Sequence, residues 1–248
     1  SHDLAFEAEL MERAAGGGCA MMVASWPSPV VVLGYSQDPG DVDLDWCREH
    51  AVPVLRRLSG GTGVIHHRDL SVSLALPAGH LWAKGIVGLY DRFLDVLEPA
   101  LKTVGAAVER LHEPGRATRV RSPICFEDQL ADTLLVDGRK VVGCSQTRRK
   151  GAVLIHAAVL LGLDPGTYAR VFGVEEGRVA AALAPAVTGV ESRVIVDAVT
   201  REMGRALDAD LRWSARPVPR SDFLSVYGLE RWSPVPDDGM QRSAAELV

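Results

Sequence analysis

The chain has 248 residues, 47 % of them apolar and 24 % charged, with a formal net charge of -5. That length suits one large α/β domain or two small ones with a sizeable core, and the negative balance argues against non-specific nucleic-acid binding. Its four cysteines, Cys19, Cys47, Cys125 and Cys144, fit neither a paired zinc motif nor a disulfide scaffold, so they read as reduced thiols of a cytoplasmic protein. With no apolar run of about 18 residues, no membrane-spanning helix is expected.

Ser1-His2 reads as a cloning remnant. Residues 3–15 set Leu, Ala and Phe among acids at helical spacing and predict an N-terminal helix. "CAMMVASW" and "PVVVLGYSQ" read as two buried strands around a turn at Pro27 to Pro29. Residues 41–49, opened by "GDVD", predict a short helix. "VPVLRRL" is a strand leading into a Gly-rich turn, and "DLSVSLALP" alternates with the period of a strand. Residues 83–111 carry an amphipathic stripe that includes Ile86, Phe93, Leu97, Leu101, Val104 and Val108, bent or restarted near Pro99. "DTLLVDGRKVVGCSQ" predicts a hairpin turning at Asp137-Gly138. "AVLIHAAVLLGL" predicts a long strand, and residues 190–208 a second strong helix. Several prolines and no clear periodicity follow, so residues 3–212 are read as one domain and 213–248 as a tail packed on it or trailing it. The simplest architecture is an α/β (α+β) fold, one mixed β-sheet flanked by helices.

The chemistry concentrates in two stretches. In "RRLSGGTGVIHHRDL", Ser-Gly-Gly after a strand lets backbone N–H groups approach a ligand closely. The two arginines upstream could pair with phosphate or carboxylate; the plainer reading is a strand–turn–strand corner with solvated arginines. No Gly-Lys-Ser/Thr follows, so it is not a P-loop, and no helix starts there as a dinucleotide fingerprint requires. His66 and His67, adjacent on a strand, must point to opposite faces. One should face a site and the other solvent, and no metal site is expected. In the second stretch, Lys140 sits in the apolar strand "KVVG", where a buried ammonium needs a partner. Cys125 lies in a loop after Pro123, where a nearby lysine or histidine would favour thiolate and Glu127 and Asp128 would oppose it. Cys144 reads as a packing residue.

These two stretches carry a resemblance. "RRLSGGTGVIH" resembles the lipoate-ligase signature Arg-Arg-x-Ser-Gly-Gly-Gly-x-Val-x-His. "VDGRKVVGCSQTRRKGAVLIH" resembles that family's Gly-Arg-Lys-x-x-Gly-Ser-Ala-Gln segment, with its basic loop and strand histidine, and "VVLGYSQ" matches the upstream Gly-x-x-Gln strand end. The resemblance covers about residues 4–210. It implies the fold shared by class II aminoacyl-tRNA synthetases and biotin–lipoate ligases. It also implies a substrate pocket at Arg57, Ser59, Gly60, Gly61, Thr62, His66, Gly143, Ser145 and His156, with Lys140 on the reacting acyl carbonyl. Thr62 and His67 stand where Gly and Asp are usual and would reshape the pocket. The biotin-ligase Gly-Arg-Gly-Arg pattern is absent.

Within the family, "CFEDQLADTLLVDGRK" is similar to the cysteine-type octanoyltransferases, whose Cys-Phe precedes the lysine by the same 15 residues. Asp132-Thr133 stands where ligases carry the Asn-Asp pair that helps hold magnesium and adenylate, and the tail leaves no room for an accessory domain. The resemblance thus implies a protein N-octanoyl (lipoyl) transferase, with Cys125 as nucleophile and Lys140 steadying the oxyanion. The donor would be an acyl carrier protein. The acceptor would be a lipoyl domain such as the glycine cleavage H protein or a 2-oxoacid dehydrogenase E2 component. No cofactor is expected. The alternatives are a lipoate–protein ligase using MgATP, a transferase between two lipoyl domains, and a non-catalytic acyl-binding protein. Val64, Ile65, Val141, Val142, Val153 and Leu154 could line an acyl tunnel, worth about 0.8 kcal/mol per buried methylene, though any one of them could equally be core. The incoming lysine must lose a proton, and His66 and His156 are the candidates to take it.

Overall fold

The computed structural model describes residues 2–111, 122–124, 133–212, 220, 222, 233 and 234. Among the described residues the strands fall into three sheets rather than the single one expected, and helices flank them. The central sheet is antiparallel. It comprises β1 (Ala20–Ser25), β5 (Asp69–Pro77), β10 (Ala152–Leu160) and β9 (Val142–Arg149), in that order. Beside it lies a mixed sheet in which β2 (Val30–Leu33) runs parallel to β3 (Val54–Arg56) and antiparallel to β4 (Val64–His66). A third, small sheet joins β6 (Glu109–Leu111), β7 (Thr133–Val136) and β8 (Arg139–Lys140).

The alternation in β5 and β10 separates two environments. Leu70, Val72, Leu74 and Leu76 of β5 join Val153, Ile155, Ala157 and Val159 of β10 on one face. That face is covered by α3 (Val87–Thr103) and α6 (Ser192–Leu207), which pack together. Phe93 of α3 is fully buried there. Truncating it to alanine is expected to cost about 3–5 kcal/mol, since the lost transfer energy adds to the cavity left behind. Urea unfolding reads this directly, and a loss under about 1 kcal/mol would mean that the α3 stripe does not carry the core.

The opposite face bears Ser71, Ser73 and Ala75 of β5 and Leu154, His156 and Ala158 of β10. The N-terminal helix α1 (His2–Ala15) packs across both strands. A polar strand face would ordinarily meet solvent; here Ser71 and Ser73 are buried.

Local signals explain most boundaries. Asp43 caps α2 (Leu44–Glu49) by accepting from the Trp46 amide at 2.9 Å. Asp137 and Gly138 have φ of 50° and 71°, the left-handed pair of a two-residue hairpin turn, so β7 and β8 form as expected. The chain leaves that hairpin at Val141, and β9 pairs with β10 instead.

Several elements differ from expectation. β1 is half-buried and separated from β2, which lies in the other sheet. Pro99 lies within α3 without interrupting it. The helix ends at Thr103 because Gly105 takes φ 89°, which leaves Val104 and Val108 beyond it. Ile86 precedes the helix and is exposed. Two helices had no counterpart in the sequence reading, α4 (Pro165–Phe172) and α5 (Glu176–Ala182). They are too short to show a period, although Asp164, Pro165 and Gly173 mark the start and stop of α4. No described helix is long and apolar enough to cross a membrane. Of the tail, Arg220 pairs with Glu12 of α1 and Ser233 is buried.

Candidate functional site

β2 and β3 run parallel and deliver two turns side by side, Gly34–Gln37 and Leu58–Gly63. The turns touch through their backbones: a Cβ on Gly34 would sit 2.0 Å from the Gly61 carbonyl oxygen. Gly61 itself has φ 95°, which a side chain would strain. The Tyr35 amide donates to the Ser59 carbonyl at 2.9 Å.

Both arginines are buried and serve the turns. Arg56 Nη1 donates to the carbonyls of Gly34 and Gln37 at 2.7 Å each. Arg57 Nη2 donates to the carbonyls of Gly60 at 2.7 Å and Thr62 at 3.0 Å, and its Nε to Ser59 Oγ at 3.0 Å. Neither is a solvated arginine, and Arg57, which could have paired with a phosphate, has its guanidinium bonded to its own loop. Thr62 is buried, with its carbonyl facing Arg57.

From this turn a hydrogen-bonded chain runs into the central sheet. Ser59 Oγ lies 2.6 Å from His156 Nε2, and His156 Nδ1 lies 2.7 Å from Glu7 Oε1. Ser73 donates its hydroxyl to the same carboxylate oxygen at 2.7 Å. Ser145, directly across from His156 on β9, donates to the Gly60 carbonyl at 2.9 Å. The His66–His67 pair splits at the end of β4: His66, its last residue, is buried and His67, in the bend that follows, is exposed. His66 Nδ1 lies 2.7 Å from Asp69 Oδ2, and its ring stacks on Trp26 with centroids 4.5 Å apart.

Arg57, His66, Gly143, Ser145 and His156 line one cavity, with Asp3 and Glu7 of α1 beside them. Its volume of about 40 Å³ would hold two or three waters. Apolar wall comes from Met22, Trp26, Val32 and Val64. Of the aliphatic residues proposed for a tunnel, only Val64 is in the wall. Val141, Val142 and Val153 face the α3–α6 core, Leu154 packs beneath α1, and Ile65 belongs to the core around β2. Lys140 is buried at the end of β8, paired with Leu135, and is not part of the cavity wall. Among the described residues no group of three His, Cys, Asp or Glu could hold a metal ion.

Cys125 lies outside the described residues, as does Asp132. The residues before Cys125 are placed. The Pro123 carbonyl accepts from Gly63 N at 2.8 Å and from Gln37 Nε2 at 3.1 Å. Ile124 is fully buried and bridged to Gly63. Among the other thiols, burial and the charge of Asp43 push Cys47 up to about 11, so it remains a thiol at neutral pH. Cys144 is half-buried, packed against the α3–α6 core and also part of the cavity wall.

The sequence reading missed Glu7, Ser73, Asp3 and Trp26. One signal was available for Glu7: it falls on the stripe Leu4, Met11 and Ala14, where an apolar residue was due. Burial alone would push the Glu7 carboxyl up. The charge of His156 and hydrogen bonds from His156 and Ser73, helped by the charge of His66, outweigh it and hold it below the usual carboxylate value of 4.5. A carboxyl depressed by folding stabilises the fold above its ordinary value and loses that contribution as the pH falls through its lower folded value. Glu7→Gln is therefore expected to flatten the loss of stability below about pH 4.5. Unfolding free energies measured from pH 6 down to pH 3 check this, and an unchanged slope would contradict it.

An α/β domain with a Gly-rich turn beside an acid–histidine cavity is the class that fold and site define. The chain matches the lipoyl protein ligase A/B catalytic domain over residues 1–210 and belongs to that family. Among curated relatives, it is 33 % identical to octanoyltransferase LipM of Symbiobacterium thermophilum over 158 residues, 61 % of this chain and 57 % of the relative. It is 32 % identical to octanoyltransferase LipM of Geobacillus kaustophilus over 146 residues, 56 % of this chain and 52 % of the relative. The chain thus spans about half the length of these relatives. A lipoate-protein ligase A bound with ATP superposes with a TM-score of 0.76 at 22 % identity, covering 92 % of this chain and 91 % of the other. A bi-partite lipoate protein ligase from Thermoplasma acidophilum, solved in a study with its E2 lipoyl domain, superposes with a TM-score of 0.70 at 19 % identity, covering 90 % and 84 %. These likenesses establish the fold.

Proposed function

We propose that this chain is the catalytic domain of a protein N-octanoyl (lipoyl) transferase acting through Cys125. The observation that carries the reading is the anchoring of residues 123 and 124. Ile124, the residue before Cys125 in the sequence, is fully buried and bridged to Gly63 of the Gly-rich turn. The octanoyltransferase relatives support the same choice.

In this reading the Cys125 thiolate attacks the thioester carbonyl of an octanoyl group on acyl carrier protein. The carrier's phosphopantetheine thiol leaves, and an octanoyl-enzyme thioester remains. A lysine amine of a lipoyl domain, from the glycine cleavage H protein or a 2-oxoacid dehydrogenase E2 component, then displaces the cysteine to form an amide. Lys140, three residues before the cavity-lining Gly143, would donate to the oxygen as it becomes negative; losing such a donor costs about 2.7–4 kcal/mol of barrier. Thioester-to-amide transfer runs downhill, so no ATP, metal or other cofactor is needed. The cavity is smaller than an eight-carbon chain, so side chains must turn aside for it; Met22, with its flexible thioether, is the natural one to move.

The test is an intact-mass assay with octanoyl–acyl carrier protein and a lipoyl domain, without ATP. Octanoylated acceptor, with a hydroxylamine-labile adduct on the enzyme, supports the transferase. Modification that occurs only with lipoate and MgATP overturns it in favour of a ligase making lipoyl-adenylate, a reading to which the ATP-bound structural relative lends the fold. Transfer only from a second octanoylated lipoyl domain would replace the donor.

A further inference from the structure

We propose that Ser59 and His156 form a relay that takes the proton from the incoming lysine ammonium, with Glu7 as the residue that positions His156. The inference rests on the acyl-transfer reading above but not on its donor. Whether a thioester or an adenylate is consumed, a lysine ammonium has no lone pair until a base removes a proton.

The geometry sets the direction of the relay. A carboxylate can only accept, so the 2.7 Å contact between Glu7 Oε1 and His156 Nδ1 places the ring proton on Nδ1. Nε2 is then an acceptor, and the partner 2.6 Å away is the Ser59 hydroxyl. Ser59 Oγ in turn accepts from Arg57 Nε at 3.0 Å, which fixes its oxygen while its proton points at His156. Glu7 is itself held by Ser73. The order hydroxyl, imidazole, carboxylate is the one by which hydrolases make a serine–histidine pair basic.

Two further observations favour a working role over a strut. His156 and Glu7 line the cavity, with Ser59 fully buried behind His156, so the amine reaches the hydroxyl from the cavity past the imidazole. Glu7 Oε2 is also buried with no hydrogen-bond partner among the described residues. Most buried carboxylate oxygens are hydrogen-bonded; Oε2, in a residue that lines the cavity, is placed to take a water or to face a positive imidazolium beside it. His66, the other candidate base, is bonded to Asp69 and stacked on Trp26. His156 is the one bonded to the Gly-rich turn. The titratable and charged groups around it are Glu7 and Asp3 of α1, Arg57 of the turn, His66 with Asp69, and Cys144 of β9.

The step balances as follows. One ammonium proton passes to Ser59 Oγ while the Ser59 proton passes to His156 Nε2. The freed lone pair forms the C–N bond, and the bond from the acyl carbon to the cysteine sulfur breaks. The departing thiolate takes the second nitrogen proton, and His156 releases its own to solvent.

The test compares wild type with Glu7→Gln and His156→Gln, measuring acyl-enzyme formation, transfer to the lipoyl-domain lysine from pH 6 to pH 9, and transfer to hydroxylamine. Hydroxylamine is largely neutral at pH 7 and needs no base. Measured from the acyl-enzyme that each variant forms, whatever its loading rate, the ratio of lysine transfer to hydroxylamine transfer is expected to fall about 10²- to 10⁴-fold at pH 7 and to recover in part as rising pH supplies neutral amine. Equal losses with lysine and hydroxylamine would show a merely structural role and overturn the relay, as would undiminished lysine transfer. Should Glu7→Gln fail to fold, Ser73→Ala leaves the carboxylate charged but less fixed. It must then show a smaller deficit confined to lysine, and a deficit shared by hydroxylamine overturns the proposal. If wild type itself acylates no lysine, the function proposed above fails, and the relay with it.

Discussion

Cys125→Ala is expected to reduce octanoyl transfer by at least about 10⁴-fold and to abolish the enzyme-bound adduct. A covalent nucleophile is not one contribution among several. Without it the two-step route is closed, and the acceptor amine must attack the donor thioester directly. In hydrolases, loss of the nucleophile alone costs about as much as loss of the whole catalytic triad. Cys125→Ser keeps an attacking oxygen but would form an ester, a poorer acyl donor to an amine, so adduct without turnover is expected there. The measurement is the transfer rate together with the mass of the enzyme after incubation with donor. A Cys125→Ala protein with wild-type turnover would rule out the thioester route and leave Lys140 and the Gly-rich turn as the machinery of an ATP-dependent ligase.

The second large effect belongs to Gly34→Ala. The new methyl would lie 2.0 Å from the Gly61 carbonyl oxygen and 2.7 Å from its carbonyl carbon. Both are backbone atoms, so no rotamer change relieves the overlap, and the two turns must part. Overpacking of this kind costs about 3 kcal/mol or more. The turn also carries Ser59 and Gly60, which are bonded to His156 and Ser145. Displacing reacting groups by about 1 Å can cost about 10² in rate, so the surviving folded protein is expected to be catalytically weak as well. Urea unfolding and the transfer rate of the folded fraction check the two parts. A variant within about 1 kcal/mol of wild type would mean that the turns do not meet at these glycines. A Cβ on Gly63 would meet the buried Phe172 ring at 2.5 Å and the Pro123 carbonyl oxygen at 3.2 Å, so this glycine is also tightly enclosed.

The elements read correctly from sequence are those whose causes are local. Asp137-Gly138 demands a tight hairpin wherever it stands, because both residues accept positive φ. His66 is the last residue of β4 and buried, and His67 is exposed in the bend that follows, so the two part where the strand ends. The errors arise where a local pattern was allowed to run past a local stop, or where its partner was distant. The stripe of α3 was extended to Val108, although Gly105 ends the helix. The alternation of β5 was recognised, but nothing within nine residues tells that the Ser71–Ser73 face is roofed by α1 rather than by water. Of the six aliphatic residues beside the motifs, Val141, Val142 and Val153 lie on the α3–α6 side of the sheet, while Leu154 packs under α1 and Ile65 in the core around β2.

Sequence by itself determined the family resemblance, the Gly-rich turn with its two arginines, and the strand that carries His156, because each is written in a run of consecutive residues. Only the tertiary structure decided what those residues do to one another. Arg57 is bonded to its own loop rather than left for a ligand, and Val64 alone of the expected aliphatics reaches the cavity. Glu7 meets His156 across 149 residues of chain. That contact follows from packing α1 on β5 and β10, and such packing minimises exposed apolar surface over the whole domain, a quantity that no short window of sequence contains.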